Sequence, residues 1–297
     1  MDAICYKFLY LFLYLHALLP FKVLYVLSDI LYYGVYYIAR YRREVVKQNL
    51  RSSFPEKTPK ELLCIEKDFY HHLCDYFVET IKLLHITNEE MQKRITFNNV
   101  ELVQDLMKEG NSCIMYLGHY GNWEWVPSLN LLFDKDILLG QIYRPLKNKI
   151  FDILFLKIRS RFGSVGIPKD NTFRAIINYK RQSQKILIGF MSDQSPSPHN
   201  IHYWTNLLNK NTGVYTGVER IAKQTGFSVT YLDITKTGRG RYTANVKLIS
   251  DCPKDEPEFA ITERYIREME STILRNPAYW LWSHRRWKHS PIESDQE

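Results

Sequence analysis

The chain has little that would tie it to a metal, a nucleotide or a disulfide framework. Its five cysteines, Cys5, Cys64, Cys74, Cys113 and Cys252, form an odd and widely scattered set. They read as reduced thiols in a cytosol-facing domain, with no disulfide ladder and no metal knuckle. Zinc-finger spacing, an RNA-binding aromatic signature and a glycine-rich phosphate loop are all missing, so nucleic acid is the weakest of the anionic partners that the charge allows. There are no internal repeats and no low-complexity linker, which leaves one unit. No uninterrupted apolar run reaches the ~20 residues of a confident transmembrane helix, because Pro20, Lys22 and Asp29 break the apolar stretch 3–39. That stretch also lacks a basic leader and a small-x-small cleavage site, so it reads as a retained anchor and not as a signal peptide.

The anchor is expected as two hydrophobic helices, about 4–19 and 21–39, either embedded at the interface or with one crossing at a tilt. Residues 1–39 then form the anchoring segment and 40–297 the body. Arg40, Arg42, Arg43, Lys47 and Arg51 follow the apolar stretch at once. By the positive-inside rule this end, and the body behind it, face the cytoplasm. A solvated basic helix face is compatible with the same placement. The formal net charge is +8, from 40 Lys plus Arg against 32 Asp plus Glu. It suits a membrane surface, an acidic carrier protein or a phosphorylated lipid. The aromatic content is high, with 21 Tyr, 15 Phe and 6 Trp, and these residues favour places that are apolar at one end and wet at the other.

The stretch with chemistry in it is Met115–Val126. An apolar strand from Cys113 to Leu117 ends at Gly118; His119, Gly121, Asn122 and Glu124 follow. On a continuous helix His119 and Glu124 would stand about 140° apart, so they meet only if the chain turns between them. Gly118 and Gly121 permit such a turn, and Asn122 is expected to cap a helix running to Phe133. The expected pair is His119 as a general base oriented by Glu124, at the carboxyl end of a strand where open α/β sheets bind ligands. The competing reading is a satisfied loop histidine beside an acid that complements the helix dipole.

Other elements follow from pattern. Thr58 and Pro59 open a helix 60–85 with apolar residues at helical spacing. On it His71 and His72 read as surface or packing residues, and Asp75 and Glu79, at i and i+4, as a solvated face in preference to a groove lining. A short helix is expected over 99–109, ended by Gly110 and Asn111. Strands are expected at 112–117, 137–142 and 185–191, the first two forming a parallel βαβ unit. A helix is expected from 148 to about Arg161, another over 214–225, a hairpin from 228–235 and 242–249, and a last helix over 258–274. The strand ends would bring Arg144, Asp193 and Gln194 to the edge that carries His119. Arg144 could bind a phosphate or an oxyanion, with Arg159, Arg161 and Arg174 extending a positive rim. Asp193 and Gln194 could line an acceptor site or form an Asx turn. The terminal cluster Tyr279–Lys288 suits a membrane interface, a phospho-group or plain packing.

These pieces resemble a known family. Gly118–Glu124 is similar to the His-x-x-x-x-Asp/Glu signature of glycerolipid acyltransferases. With Arg42-Arg43, Gln48-Asn49-Leu50, Phe54-Pro55, Tyr143-Arg144-Pro145, Asp193-Gln194 and Trp282–Lys288, the chain resembles the bacterial lipid A late acyltransferases of the lauroyl/myristoyl transferase family. The resemblance implies a mixed, largely parallel α/β sheet flanked by helices. It also implies transfer of a fatty acyl group from an acyl-carrier-protein thioester to a hydroxyl of a phosphorylated glycolipid, at the cytoplasmic side of the cell inner membrane. His119 and Glu124 would be catalytic, while Arg144, Arg159, Arg161, Asp193 and Gln194 would bind substrate. A thioester is already activated, so no metal or redox cofactor is called for. Glu124 stands where glycerolipid relatives usually have Asp, and the loop from Ser195 to Trp204 diverges. Another membrane lipid as acceptor, or a non-catalytic lipid-binding module, are the alternatives.

Overall fold

The computed structural model describes residues 2–108 and 111–289. Gly110, expected to end a helix, lies outside the described residues, as do Glu109 and the tail 290–297 of the expected body. The chain opens with α1 (Asp2–Leu18) and α2 (Phe21–Tyr33), the latter prolonged by a π-turn at Gly34–Ile38. Then come α3 (Arg43–Ser53), α4 (Pro59–Lys82), α5 (Asn88–Gln92), β1 (Ile95–Asn98), α6 (Val100–Leu106) and β2 (Cys113–Leu117). A 3-10 stretch, Trp123–Leu132, leads to β3 (Ile137–Tyr143), α7 (Lys149–Arg159), β4 (Val165–Pro168), α8 (Thr172–Arg181) and β5 (Lys185–Met191). The last part holds β6 (Tyr203–Leu207), β7 (Lys210–Val214), α9 (Gly217–Thr225), β8 (Ser228–Gly238), β9 (Arg241–Ser250) and α10 (Ala260–Arg275).

Seven strands form one sheet in the order β1-β9-β8-β2-β5-β3-β4, and β6 and β7 form a separate antiparallel hairpin. Within the large sheet only β8 and β9 pair antiparallel; β8, β2, β5, β3 and β4 run parallel to one another. The expected mixed, largely parallel sheet is therefore what forms. β2 is buried at every position, as a run of Cys, Ile, Met, Tyr and Leu between two parallel neighbours must be. β2 and β3 are parallel as expected but not adjacent: β5 lies between them. Their carboxyl ends share one edge, and the segments beginning at Gly118, Arg144 and Ser192 all leave from it.

Several departures have physical reasons. The helix expected after Asn122 is 3-10 and contains Pro127; proline has no N–H to give and its ring crowds the carbonyl four residues back, which an α-helix cannot accommodate. Asn122 makes no side-chain cap bond there. Strands β1, β4, β6 and β7 are four or five residues long and too mixed in polarity to show alternation. The helix expected from 214 begins only at Gly217, because Lys210–Val214 pairs as β7. α4 starts as expected, with a full capping box between Thr58 and Glu61 and Pro59 in its first turn. Its acids are not solvated, however: Asp75 is 4% exposed and Glu79 0%. His72 is buried too, whereas His71 stacks on Tyr32.

Among the described residues no single helix is long and apolar enough to cross a membrane; α1 and α2 with its π-turn reach that composition only together, bent by 117°. One face packs on α4 while Phe8, Phe12, Val26, Ile30 and Ile38 stand exposed on the other. All five cysteines are free.

Candidate active site

The turn after β2 is shaped by close approach. A Cβ on Gly118 would lie 2.3 Å from Met269 Sδ on α10, so any larger residue there would have to push the tip of that flexible side chain aside, while Asp193 Cγ at 3.6 Å leaves ordinary contact. Gly121 has a φ of +60°, and a Cβ there would meet Ile234 Cγ2 at 3.0 Å. A strap formed by residues 276–286 then grips the loop. Gly121 N–H donates to the Tyr279 carbonyl at 3.0 Å, Leu281 N–H donates to the His119 carbonyl at 3.1 Å, and Tyr120 bridges to Trp280.

His119 finds its acid on the neighbouring strand. Its Nδ1 lies 2.7 Å from Asp193 Oδ1, and its backbone N–H donates to Oδ2 of the same carboxylate at 2.9 Å. Trp280 Nε1–H donates to Oδ2 at 2.8 Å. Burial alone would raise the Asp193 carboxyl, but the His119 imidazole beside it, the Trp280 indole and the His119 backbone N–H outweigh burial and hold it at about 2. A carboxylate on Nδ1 assigns the proton to that nitrogen and leaves the lone pair on Nε2. Nε2 lies 3.2 Å from the Gln194 side-chain amide.

This corrects the expected His119–Glu124 pair. Glu124 is 3% exposed and is held in two bonds by Arg159, Nε to Oε2 at 2.8 Å and Nη2 to Oε1 at 2.5 Å, with Tyr76 O–H donating to Oε1 at 3.3 Å. Its first-turn position in a 3-10 stretch aims it at α7 and α4. Burial works against the Arg159 charge, yet the Glu124 carboxylate raises its pKa, so the pair is a committed ion pair. Asp193, expected to line an acceptor site, is the acid on His119, and Glu124 pairs with Arg159 instead.

Glu124 and Arg159 are among the residues that line an apolar cleft, with Met115, Leu117, Trp123, Val126, Leu129, Leu139, Leu187, Gly189 and Met191. The Trp123 ring also packs edge-on against His119, with centroids 5.2 Å apart. His119, the ion pair and the apolar cleft are therefore contiguous.

The remaining arginines are placed less tightly. Arg144 leaves β3 on the expected edge but is exposed and makes no side-chain bond among the described residues. Arg161 donates to the Ile86 carbonyl, and Arg174 is exposed on α8. Of the five expected substrate-binding residues, the structure brings Arg159, Asp193 and Gln194 to the His119 site. The terminal aromatics are packing residues first: Trp280 is 3% exposed and Trp282 0%. The sequence reading missed Trp280 as an Asp193 donor and Tyr76 as a Glu124 donor. It also missed His284, whose Nε2 accepts from Ser195 N–H at 3.2 Å and whose pKa burial lowers to about 4. Nothing local in the sequence marks these roles; only an aromatic or a histidine near a strand-end acid hints at them. Among the described residues no cluster of His, Cys, Asp and Glu could hold a metal ion.

Residues 3–289 match the family described as bacterial lipid A biosynthesis acyltransferase. A lipid A biosynthesis acyltransferase of Haemophilus influenzae is 22% identical over 272 residues, covering 91% of this chain and 83% of the relative. The match runs through the N-terminal helices, the sheet and the strap alike, and with it the chain belongs to the bacterial lipid A biosynthesis acyltransferase family, whose members are O-acyltransferases.

Proposed function

We propose that the protein moves a fatty acyl group from an acyl-carrier-protein thioester to a hydroxyl of a phosphorylated lipid A precursor, at the cytoplasmic face of the inner membrane. The observation that carries this reading is the His119–Asp193 pair standing next to an apolar cleft. His119 Nε2 takes the acceptor hydroxyl proton as the oxygen attacks the thioester carbonyl. Asp193 holds the imidazole in one tautomer and stabilises the imidazolium. The carbonyl oxygen becomes an oxyanion, and the guanidinium N–H groups of Arg159 that Glu124 does not occupy supply positive charge near it. Collapse breaks the C–S bond, and the imidazolium proton passes to the leaving thiolate. The acyl chain lies in the cleft lined by Leu139, Leu187 and Gly189.

The exposed apolar face of α1 and α2 supports a bilayer as the surface on which the protein works. The +8 charge and the exposed Arg144 and Arg174 favour an acidic carrier and a phosphorylated acceptor. The experiment is to incubate purified protein with an acyl-carrier-protein thioester and either a lipid A precursor or a lysophospholipid, comparing wild type with His119→Ala. Product on the lipid A precursor, lost in His119→Ala, is expected. Transfer only to the lysophospholipid would overturn the acceptor. Equal product from both proteins would overturn the base, and lipid binding without any transfer would favour a non-catalytic module.

A further inference from the structure

Helix α4 carries a polar stripe where a core helix normally carries an apolar one. His72, Asp75, Tyr76 and Glu79 occur at helical neighbour spacing, one face of the helix, and the two acids and the histidine are at most 4% exposed. Burying such groups costs stability unless each finds partners; here Gly121, Asn122 and Glu124 on the loop after His119 are among them, and the others lie on α2 and the β8–β9 hairpin.

His72 Nε2 lies 3.2 Å from the Gly121 carbonyl, and its Nδ1 is 3.3 Å from Lys236 Nζ. Burial and Lys236 lower the His72 pKa well below its ordinary value, so the ring is neutral. Its Nδ1 then accepts from the lysine and its Nε2–H donates to Gly121. Glu79 Oε2 accepts from Asn122 Nδ2 at 2.7 Å and Tyr242 O–H at 2.9 Å, and Oε1 accepts from Tyr25 O–H on α2 at 3.0 Å. The Glu79 backbone carbonyl accepts from Trp125 Nε1–H at 3.2 Å. Tyr76 reaches Glu124 itself.

We infer that Glu79 is a positioning residue for acyl transfer: through Asn122 it fixes the loop between His119 and Glu124, and through Tyr25 it ties that loop to the N-terminal helices. The inference rests on the reading of His119 as the base. Asn122 stands three residues after His119 and two before Glu124, so a shift at Asn122 displaces both ends of the site. A misplacement of about 1 Å can cost about 10²-fold in rate.

The test compares Glu79→Ala, Glu79→Gln and Asn122→Ala in the full-length protein, with kcat and KM for both substrates and the thermal midpoint of each variant. Glu79→Ala is expected to lower kcat about 30-fold or more, with both KM values within about twofold, on the scale of that misplacement cost. Glu79→Gln keeps an oxygen for Asn122 and Tyr242 and an amide for the Tyr25 oxygen, so it should recover most of the rate. Asn122→Ala should lose kcat to a similar extent, and the double alanine variant should be no worse than the worse single one. Wild-type kcat in folded Glu79→Ala, or in Asn122→Ala should Glu79→Ala fail to fold, would overturn the inference, as would additive losses. His119→Ala in parallel separates the two readings: if it is inactive while Glu79→Ala is normal, the positioning role alone falls. If it is active, the base assignment falls.

Discussion

Two buried carboxylates flank the same loop and are held by opposite parts of the molecule. Asp193 comes from the end of β5, 74 residues from His119, and accepts from a histidine, a backbone N–H and an indole. Glu124 lies five residues from His119 but is engaged by Arg159, 35 residues away on α7. Nearness along the chain and nearness in space are here reversed. The parallel sheet does this: strand ends that are far apart in sequence open on one edge, whereas the 3-10 stretch after Asn122 turns its first acid away. The Asp193 region pairs a carboxylate with an imidazole, and the Glu124 region pairs one with a guanidinium that lines an apolar cleft.

The comparison can be broken by substitution. The largest effect is expected from Asp193→Asn, which keeps shape but removes the anionic partner of Nδ1; kcat should fall by about 10⁴-fold, as the same change does in a Ser-His-Asp triad. Single-turnover acyl transfer would measure it. Next comes Arg159→Met, for which kcat should fall by about 10²- to 10³-fold, the scale for one oxyanion donor. Glu124→Gln, which frees Arg159 without removing it, should cost less than Arg159→Met in the same assay.

Gly189→Val should act on the cleft and not on the pairs. A Cβ at Gly189 would have only ordinary contacts, 3.6 Å to Leu117 Cδ2, so the branched side chain enters the cleft. Preference should move to a shorter acyl chain, by about tenfold per excluded methylene at the low end of what such pockets achieve. A ratio of kcat/KM values over a chain-length series reads this.

The smallest effect is on stability. His284 must be neutral to accept from Ser195, and burial holds its pKa at about 4 in the folded protein against about 6.5 when unfolded. The unfolded chain therefore binds the proton first. Stability from this group is complete above about 6.5 and is lost as pH falls toward about 4. The thermal midpoint of the wild type should fall more steeply through that window than that of His284→Gln.

Much of the fold was legible. The all-apolar run of β2, the apolar β3 and β5, the capping box of α4 and the glycine turn of the β8–β9 hairpin each have a local cause and formed near their expected bounds. The site was legible as a set of residues on one edge but not as partnerships. His119, Asp193, Gln194 and Arg159 were all expected there, yet spacing suggested Glu124 for His119 because the choice between two acids depends on the sheet order, which no local pattern encodes. The stripe on α4 was misread for a similar reason. Asp75 and Glu79 look like a solvated i, i+4 face until the hairpin brings Arg239, Lys236 and Tyr242 to them. Pro127 was the one local sign that the helix after Asn122 would not be α.

The most direct measurement of the central claim is the His119 Nδ1–H proton itself, observed by proton NMR with nitrogen-15 histidine labelling in wild type, Asp193→Asn and Glu124→Gln. The account predicts a strongly downfield Nδ1–H resonance, assigned by its loss in His119→Ala, that persists in Glu124→Gln and disappears or moves far upfield in Asp193→Asn. A resonance unchanged in Asp193→Asn and lost in Glu124→Gln would contradict it.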